Sequence, residues 1–162
     1  MAKPRLPVSL TEPGERLLAW ANIAPEGTVL LASTHAMYIP AVGDITEPIR
    51  VPWVQIDRAT WEDPEVVVEA LIDGVARRWR ITLEAPGRVP EVVRERVMAT
   101  IVFSEHVDLL EGAGARIVGR RGDADAPVEW TISFDPGLDP EDPGLREMAV
   151  QALSDLRESL GI

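Results

Sequence analysis

Apolar runs of β-character, separated by turn residues, occupy the first half of the chain. Between two of them lies Asp73-Gly74, a dipeptide that favours a two-residue hairpin turn. The pattern predicts about seven strands by residue 84, joined by short connections into an antiparallel meander. Six apolar runs can be delimited within this part of the chain, at 16–24, 28–40, 48–56, 59–63, 65–72 and 75–84.

The period changes to that of a helix after residue 85. Val93, Val97 and Ile101 follow helical spacing, while Pro90 and Glu91 suit a helix start. The last part of this segment, MATIVF, is rich enough in β-branched residues to be a strand, so the end of the helix stays open.

Two or three further strands and an amphipathic helix are predicted in the last third of the chain. The strands fall within 106–122 and 128–137, and GAG at 112–114 is predicted as a hairpin turn rather than a phosphate loop. Asp139 and Asp142 suit helix N-caps and Gly161 a helix stop. The helix carries one apolar stripe: Leu145, Met148, Ala149, Ala152, Leu153, Leu156 and Leu160.

Part of the chain resembles bacterial PH-like domains, including the GRAM branch. In that family a T-x-x-R-(L/Y) strand precedes an (I/V)-P-(W/Y)-x-x-I strand. The first pattern is matched by Thr34, Met37 and Tyr38, without its arginine, and the second by Val51-Pro52-Trp53 with Ile56. The resemblance implies a bent sheet or partly open barrel closed by a helix, which binds lipids, peptides or proteins without catalysis. The whole chain also resembles small actinobacterial proteins.

We therefore expect an α+β fold, in which a bent antiparallel sheet of PH-like type is packed by one central helix and by the C-terminal amphipathic helix. Residues 1–14 are expected to be an arm, and 15–162 a single domain. Within that domain, 15–103 would be the PH-like part and 104–162 a strand-strand-helix extension.

Composition narrows the possible partners. The formal net charge is −11, and Lys3 is the only lysine among 16 basic residues. Such a chain repels nucleic acids and anionic membrane surfaces, because both bind proteins through Lys and Arg side chains. No apolar run reaches the length of a membrane span, and the first residues lack a signal-peptide core. We expect a cytoplasmic protein that binds no nucleic acid and does not insert stably into membranes.

Little in the sequence indicates catalysis or a cofactor. There are no cysteines and two histidines, His35 and His106, which lack metal-ligand spacing. His35 is expected to lie on a strand in a structural or surface role. The serines have no nucleophile motif, and Ser104-Glu105-His106 lie on one strand, where neighbours alternate faces. No cofactor, metal or catalytic residue is predicted.

The remaining candidates are arginines and tryptophans. Strand alternation places Arg78 with Arg80, and Arg116 with Arg120, on common faces, and a basic island would form if the two strands were neighbours. Such arginines alternatively pair with nearby carboxylates. Trp53 and Trp61 are expected mainly to pack the sheet, with a ligand-facing role as the alternative.

The leading prediction is that the chain is a non-catalytic interaction module. It would bind a protein partner or a second copy of the chain. The alternative is a sensor of a small anionic ligand or lipid headgroup that uses the arginine island. A third hypothesis is an enzyme of an unfamiliar kind. The candidate surface comprises Trp61, Arg78, Arg80, Arg116 and Arg120.

Overall fold

The computed structural model describes residue 10 and the ranges 12–24 and 27–162, which fall into two compact units, Met1–Thr100 and Ile101–Ile162. The boundary between the units, at 100/101, lies three residues before the predicted junction at 103/104. The predicted arm, 1–14, lies mostly outside the described residues, as do Pro25 and Glu26 of the first predicted hairpin turn.

Seven antiparallel strands and one helix form the first unit. The strands make a four-stranded sheet of order β1-β2-β3-β4 and a three-stranded sheet of order β5-β6-β7. The bounds are β1 Leu17–Ile23, β2 Thr28–Ser33, β3 Ala36–Ile39, β4 Ile49–Pro52, β5 Ile56–Glu62, β6 Glu65–Ile72, β7 Val75–Thr82 and helix α1 Val89–Ala99.

One apolar core joins the two sheets to α1. Each sheet turns one face inward, so its strands contribute alternate residues, and α1 closes the core. Asp73 and Gly74 both have positive φ, as the predicted β6–β7 hairpin requires. The largest inaccessible side chains of this core include Ile23, Leu30, Met37, Ile39, Val51, Ile56, Val66, Val68, Ile81 and Val89.

The apolar run at 28–40 is two strands rather than one, because Ser33 turns the chain. The Ser33 hydroxyl accepts hydrogen bonds from the amides of His35 and Ala36, at 3.2 and 3.0 Å. A serine hydroxyl that satisfies nearby amides competes with strand pairing. His35, which was expected on a strand, lies in this turn, so that prediction was wrong.

The second unit is a three-stranded antiparallel sheet with one helix. Its order is β10-β9-β8, and the helix α2 packs closest to the edge strand β8. The bounds are β8 Ile101–Leu110, β9 Ala113–Arg120, β10 Glu129–Phe134 and α2 Pro143–Leu160.

The helix α2 begins and ends at the predicted signals. The carboxylate of Asp142 accepts from the amides of Gly144 and Leu145, and Gly161 has φ 75°, the left-handed stop. In its predicted apolar stripe only Leu145 and Ala149 are buried, and the remainder is half-buried or exposed. The stripe therefore packs on the sheet chiefly through the first turns of the helix.

The glycines of 112–119 serve a hairpin, as predicted, and two of them serve close packing. A Cβ on Gly114 would overlap the carbonyl oxygen of Val107 in the neighbouring strand. A Cβ on Gly119 would come within 3.0 Å of the ring of Trp130, its cross-strand partner. Strand glycines of this kind mark a close approach of neighbouring groups.

The predicted α+β class, with antiparallel strands and two helices, is confirmed. The strands lie in three sheets rather than in one bent sheet, and no closed barrel forms in the described part of the chain.

Candidate binding groove and polar clusters

The two tryptophans of IRVPWVQIDRATWED have different environments. Trp53 is 3% exposed, and its indole N–H donates to the carbonyl of Ser33 at 2.9 Å. Trp61 is 37% exposed. A single 3-10 turn at Trp53–Gln55 and a bulge between Ile56 and Arg58 interrupt the strand between them. The two tryptophans therefore do not lie on one continuous strand, because Trp53 begins the 3-10 turn that follows β4, whereas Trp61 is on β5.

Trp61 lines a groove between β5 and α1. The groove has a volume of about 530 Å³, and its lining includes two buried valines, Val66 and Val93. A volume of this size is within the range typical of ligand sites. Among the described residues, the lining is Ala59, Thr60, Trp61 and Val66 from the sheet, with Pro90, Val93 and Arg94 from the helix.

The strand that forms one side of this groove is the edge of its sheet. The order β5-β6-β7 gives β5 one neighbour, β6, and no strand among the described residues pairs with its other side. On an edge strand, alternate N–H and C=O groups point away from the sheet and can pair with another chain. The groove thus combines apolar surface with backbone hydrogen-bonding groups.

The predicted arginine island does not form by strand pairing. Arg78 and Arg80 are on β7, whereas Arg116 and Arg120 are on β9, and these strands belong to different sheets. The side chain of Arg78 lies 3.7 Å from Glu69, and that of Arg80 lies 3.4 Å from Glu62. These two arginines therefore pair with nearby carboxylates, which was the alternative prediction.

The two arginines of β9 make separate contacts. Arg116 donates to the Ser104 hydroxyl at 3.2 Å on the exposed face of the sheet. Arg120 is only 5% exposed, and it donates to the Thr131 hydroxyl at 3.2 Å. A buried guanidinium is not a surface group, so Arg120 does not form an accessible patch with Arg116.

A second cleft of about 530 Å³ lies between the loop before β4 and the start of β7. The guanidinium of Arg77 stacks over the ring of Trp79, 5.1 Å from its centroid. Arg78 also lines this cleft, as do the acidic residues Asp44 and Glu47, whereas Arg80 does not. The lining is Asp44, Ile45, Thr46, Glu47, Pro48, Ile49, Arg77, Arg78 and Trp79.

A buried polar network surrounds Glu15, whose side chain is inaccessible to solvent. Its carboxylate accepts from the hydroxyls of Ser33 (2.5 Å) and Tyr38 (2.9 Å) and from the amide of Glu12 (3.1 Å). Arg50 donates to the Tyr38 hydroxyl at 3.1 Å and lies 3.5 Å from the Glu15 carboxylate. The network ties the segment before β1 to β2, β3 and β4.

The pKa of Glu15 lies below its ordinary value. Burial by itself would raise this pKa, but the hydrogen bonds from Ser33, Glu12 and Tyr38 and the charge of Arg50 together outweigh burial. Hydrogen bonds from this many donors hold the Glu15 carboxylate in its charged form. The same donors are occupied by Glu15, so they do not face an open cavity. We assign the network a structural role.

In the second unit, His106 and Asp135 form a close polar pair. The ring nitrogen Nε2 of His106 lies 2.9 Å from both carboxylate oxygens of Asp135, which also accepts from the Gly114 amide at 2.7 Å. That amide, and then His106, hold the pKa of Asp135 below its ordinary value. This pair fastens the end of β10 to the hairpin of β8 and β9.

Two further features of the described residues concern metals and membranes. No group of three or more His, Asp or Glu side chains is arranged to hold a metal ion within the described ranges. Neither α1 nor α2 is long and apolar enough to cross a membrane.

The chain matches no protein-family model, and no curated protein is significantly similar to it.

Sequence reasoning found Trp61 but missed the other side of the groove. Pro90, Val93 and Arg94 were visible only as helix residues, and nothing local indicated which strand the helix would approach. The exposed position of Trp61, six residues after a 3-10 turn that local patterns did not reveal, was likewise not predictable.

Proposed function

We propose that this chain is a non-catalytic binding module that holds an extended segment of a partner protein in the groove between β5 and α1. One observation carries the proposal: the exposed Trp61 side chain lies on a strand whose outer edge pairs with no described strand, over an apolar groove lined by Val66 and Val93. Tryptophan is enriched at interaction hot spots, and extended peptides commonly add a strand to an exposed sheet edge.

The groove suits this mode of binding for a physical reason. An added strand would satisfy the outward N–H and C=O groups of β5, while its alternate side chains would enter the groove against Trp61 and Pro90. Main-chain hydrogen bonds would supply affinity that depends little on sequence, and the groove would select among side chains.

We also propose that residues 15–103 are a PH-like domain. The support is the order of elements in the first unit, which is four antiparallel strands, three antiparallel strands and then α1, all sharing one core. The proposal concerns the fold of this unit and assigns no ligand.

The groove is tested by selecting random displayed peptides on the full chain and measuring their affinities by isothermal titration calorimetry. We expect Trp61→Ala to weaken the selected peptides at least about tenfold, as for a hot-spot residue. Leu71→Ala is the matched control, because Leu71 is similarly exposed, at 43%, but does not line the groove. Peptides that bind Trp61→Ala as tightly as the native chain, or a selection that yields none, would overturn the proposal.

A second candidate function is the binding of a small anion in the cleft beside β7. The observation in its favour is Arg77, which stacks on Trp79 and has no carboxylate partner among the described residues. We expect sulfate or phosphate to raise the melting temperature of the native chain, and Arg77→Glu and Arg78→Glu each to abolish the rise. Arg80→Glu, on the same strand but outside the cleft, should retain it. If neither sulfate nor phosphate raises the melting temperature of the native chain, this second candidate function is wrong.

A further inference from the structure

We propose that the segment held in the groove presents a carboxylate to Arg94, so that its recognition element is an acidic group combined with a large apolar side chain. This inference rests on the proposed function of the groove and specifies the chemistry of the partner.

The position of Arg94 follows from helical geometry. Pro90 and Arg94 are four residues apart on α1, so they share one face of the helix, and both line the groove with Val93. Val93 is buried, whereas Arg94 is exposed. The helix therefore offers an apolar wall with one cationic group at its rim.

Arg94 has no ion pair or hydrogen bond among the described residues, although the chain carries 27 acidic residues. The one carboxylate on its helix face, that of Glu91 three residues earlier, is 3.7 Å from Arg88 instead. Four of the nine described arginines of this unit differ from Arg94, since Arg50, Arg78, Arg80 and Arg88 all lie within 4.0 Å of a carboxylate. A guanidinium left unpaired beside an apolar groove is available to a ligand.

A carboxylate is the group that best complements Arg94. The planar guanidinium can donate two parallel hydrogen bonds to it, and charge-assisted hydrogen bonds of this kind are stronger than neutral ones. A Lys or Arg at the same place in the ligand would be repelled, which adds specificity. The net charge of −11 opposes the binding of an acidic ligand only weakly. At physiological salt, charges more than about 8 Å from the ligand carboxylate are largely screened.

The strand geometry adds a constraint on spacing. Trp61 and Arg94 both line the groove, so ligand side chains that reach them must project from the same face of the added strand. Residues on one face of a strand are separated by two or four positions. The expected motif is therefore a large apolar residue with Asp or Glu at an even spacing.

The test uses displayed random peptides selected separately on the full native chain and on its Arg94→Glu variant. Peptides from the native chain should be enriched in Asp or Glu at an even spacing from an apolar residue, and those from Arg94→Glu in Lys or Arg. Synthetic copies with amidated and with free C-termini distinguish a side-chain carboxylate from that of a chain end.

Affinities of one selected peptide and its Glu→Gln version complete a double-mutant cycle. We expect the peptide substitution to weaken binding about tenfold on the native chain and less than about twofold on Arg94→Gln. Arg58→Gln is the matched control, because Arg58 is an exposed arginine of β5 outside the groove lining, and it should behave as the native chain.

Three results are distinguishable. An acidic preference that disappears in Arg94→Gln supports the inference. Peptides that require Trp61 but show no acidic preference, or keep it in Arg94→Gln, overturn the inference and leave the groove as a binding site. Peptides that are indifferent to Trp61→Ala overturn both.

Discussion

Replacing Trp53 with alanine is expected to lower the free energy of unfolding by about 3–5 kcal/mol, the range for truncating a buried aromatic side chain. Trp53 is 3% exposed and packs in the core shared by both sheets and α1. Its removal would leave a cavity in this core, and the cost of that cavity adds to the lost burial of the ring. It would also remove the donor that the carbonyl of Ser33 has in the native structure, at 2.9 Å.

Urea denaturation followed by far-ultraviolet circular dichroism measures this effect. Trp61→Ala is the matched control, since it makes the same chemical change at a side chain that is 37% exposed, and we expect it to cost less than half as much. If Trp53→Ala does not fold, Trp53→Phe keeps a ring and removes only the indole N–H and part of the volume, and should cost about 1–2 kcal/mol. A Trp53→Ala chain as stable as the native one would contradict the structural role.

Replacing Glu15 with alanine is expected to cost about 3 kcal/mol, because one partner of a buried charged network is removed while the others remain. Ser33 and Tyr38 would lose the acceptor for their hydroxyls, and Arg50 would lose one of its two carboxylate partners. The side chain of Arg50 is 22% exposed, so water can compensate part of its loss.

The same residue predicts a dependence of stability on pH. Because the pKa of Glu15 is lower in the folded chain than in the unfolded chain, its stabilising contribution is complete above the unfolded value of about 4.3. The contribution falls as the pH drops through the lowered folded pKa, because protonation then occurs in both states. Stability attributable to Glu15 should therefore be constant near neutral pH and decrease in acid.

The measurement is the difference in unfolding free energy between the native chain and Glu15→Gln across the acidic range. This difference isolates Glu15 from other carboxylates, and we expect it to shrink as the pH falls below about 4.3. Glu12→Gln serves as the control, since that side chain is 50% exposed and its contact with Arg50 should contribute at most about 1 kcal/mol. A difference that stays constant down to the lowest pH at which the chain folds would contradict the assignment.

Local features were predicted where a short stretch of sequence determines the geometry. Asp73-Gly74 forms the predicted hairpin turn because both residues tolerate positive φ. Asp142 caps α2 through its own neighbouring amides, and Gly161 ends the helix in the left-handed conformation. Pro90 lies in the first turn of α1, where its missing N–H has no helical partner to lose.

The predictions that failed required knowledge of partners distant in the chain. The basic island assumed that the strands of Arg78 and Arg116 are neighbours, but they belong to different sheets. His35 was placed on a strand because the apolar run is continuous through 28–40, whereas the hydroxyl of Ser33 diverts the backbone into a turn. Arg94 was overlooked because a helix does not reveal which strand it will approach.

The sequence by itself determined the antiparallel α+β class, the positions of most strands, and the capped ends of α2, because these depend on periodicity, turn residues and hydrogen bonds between near neighbours. Only the tertiary structure decided that β5 is an edge strand, that α1 lies beside it, and that Trp53 is buried while Trp61 is exposed. The reason is physical: strand order and helix packing follow from contacts among residues far apart in the chain, and the 3-10 turn at Trp53–Gln55 leads the chain from β4 to β5, which belongs to another sheet.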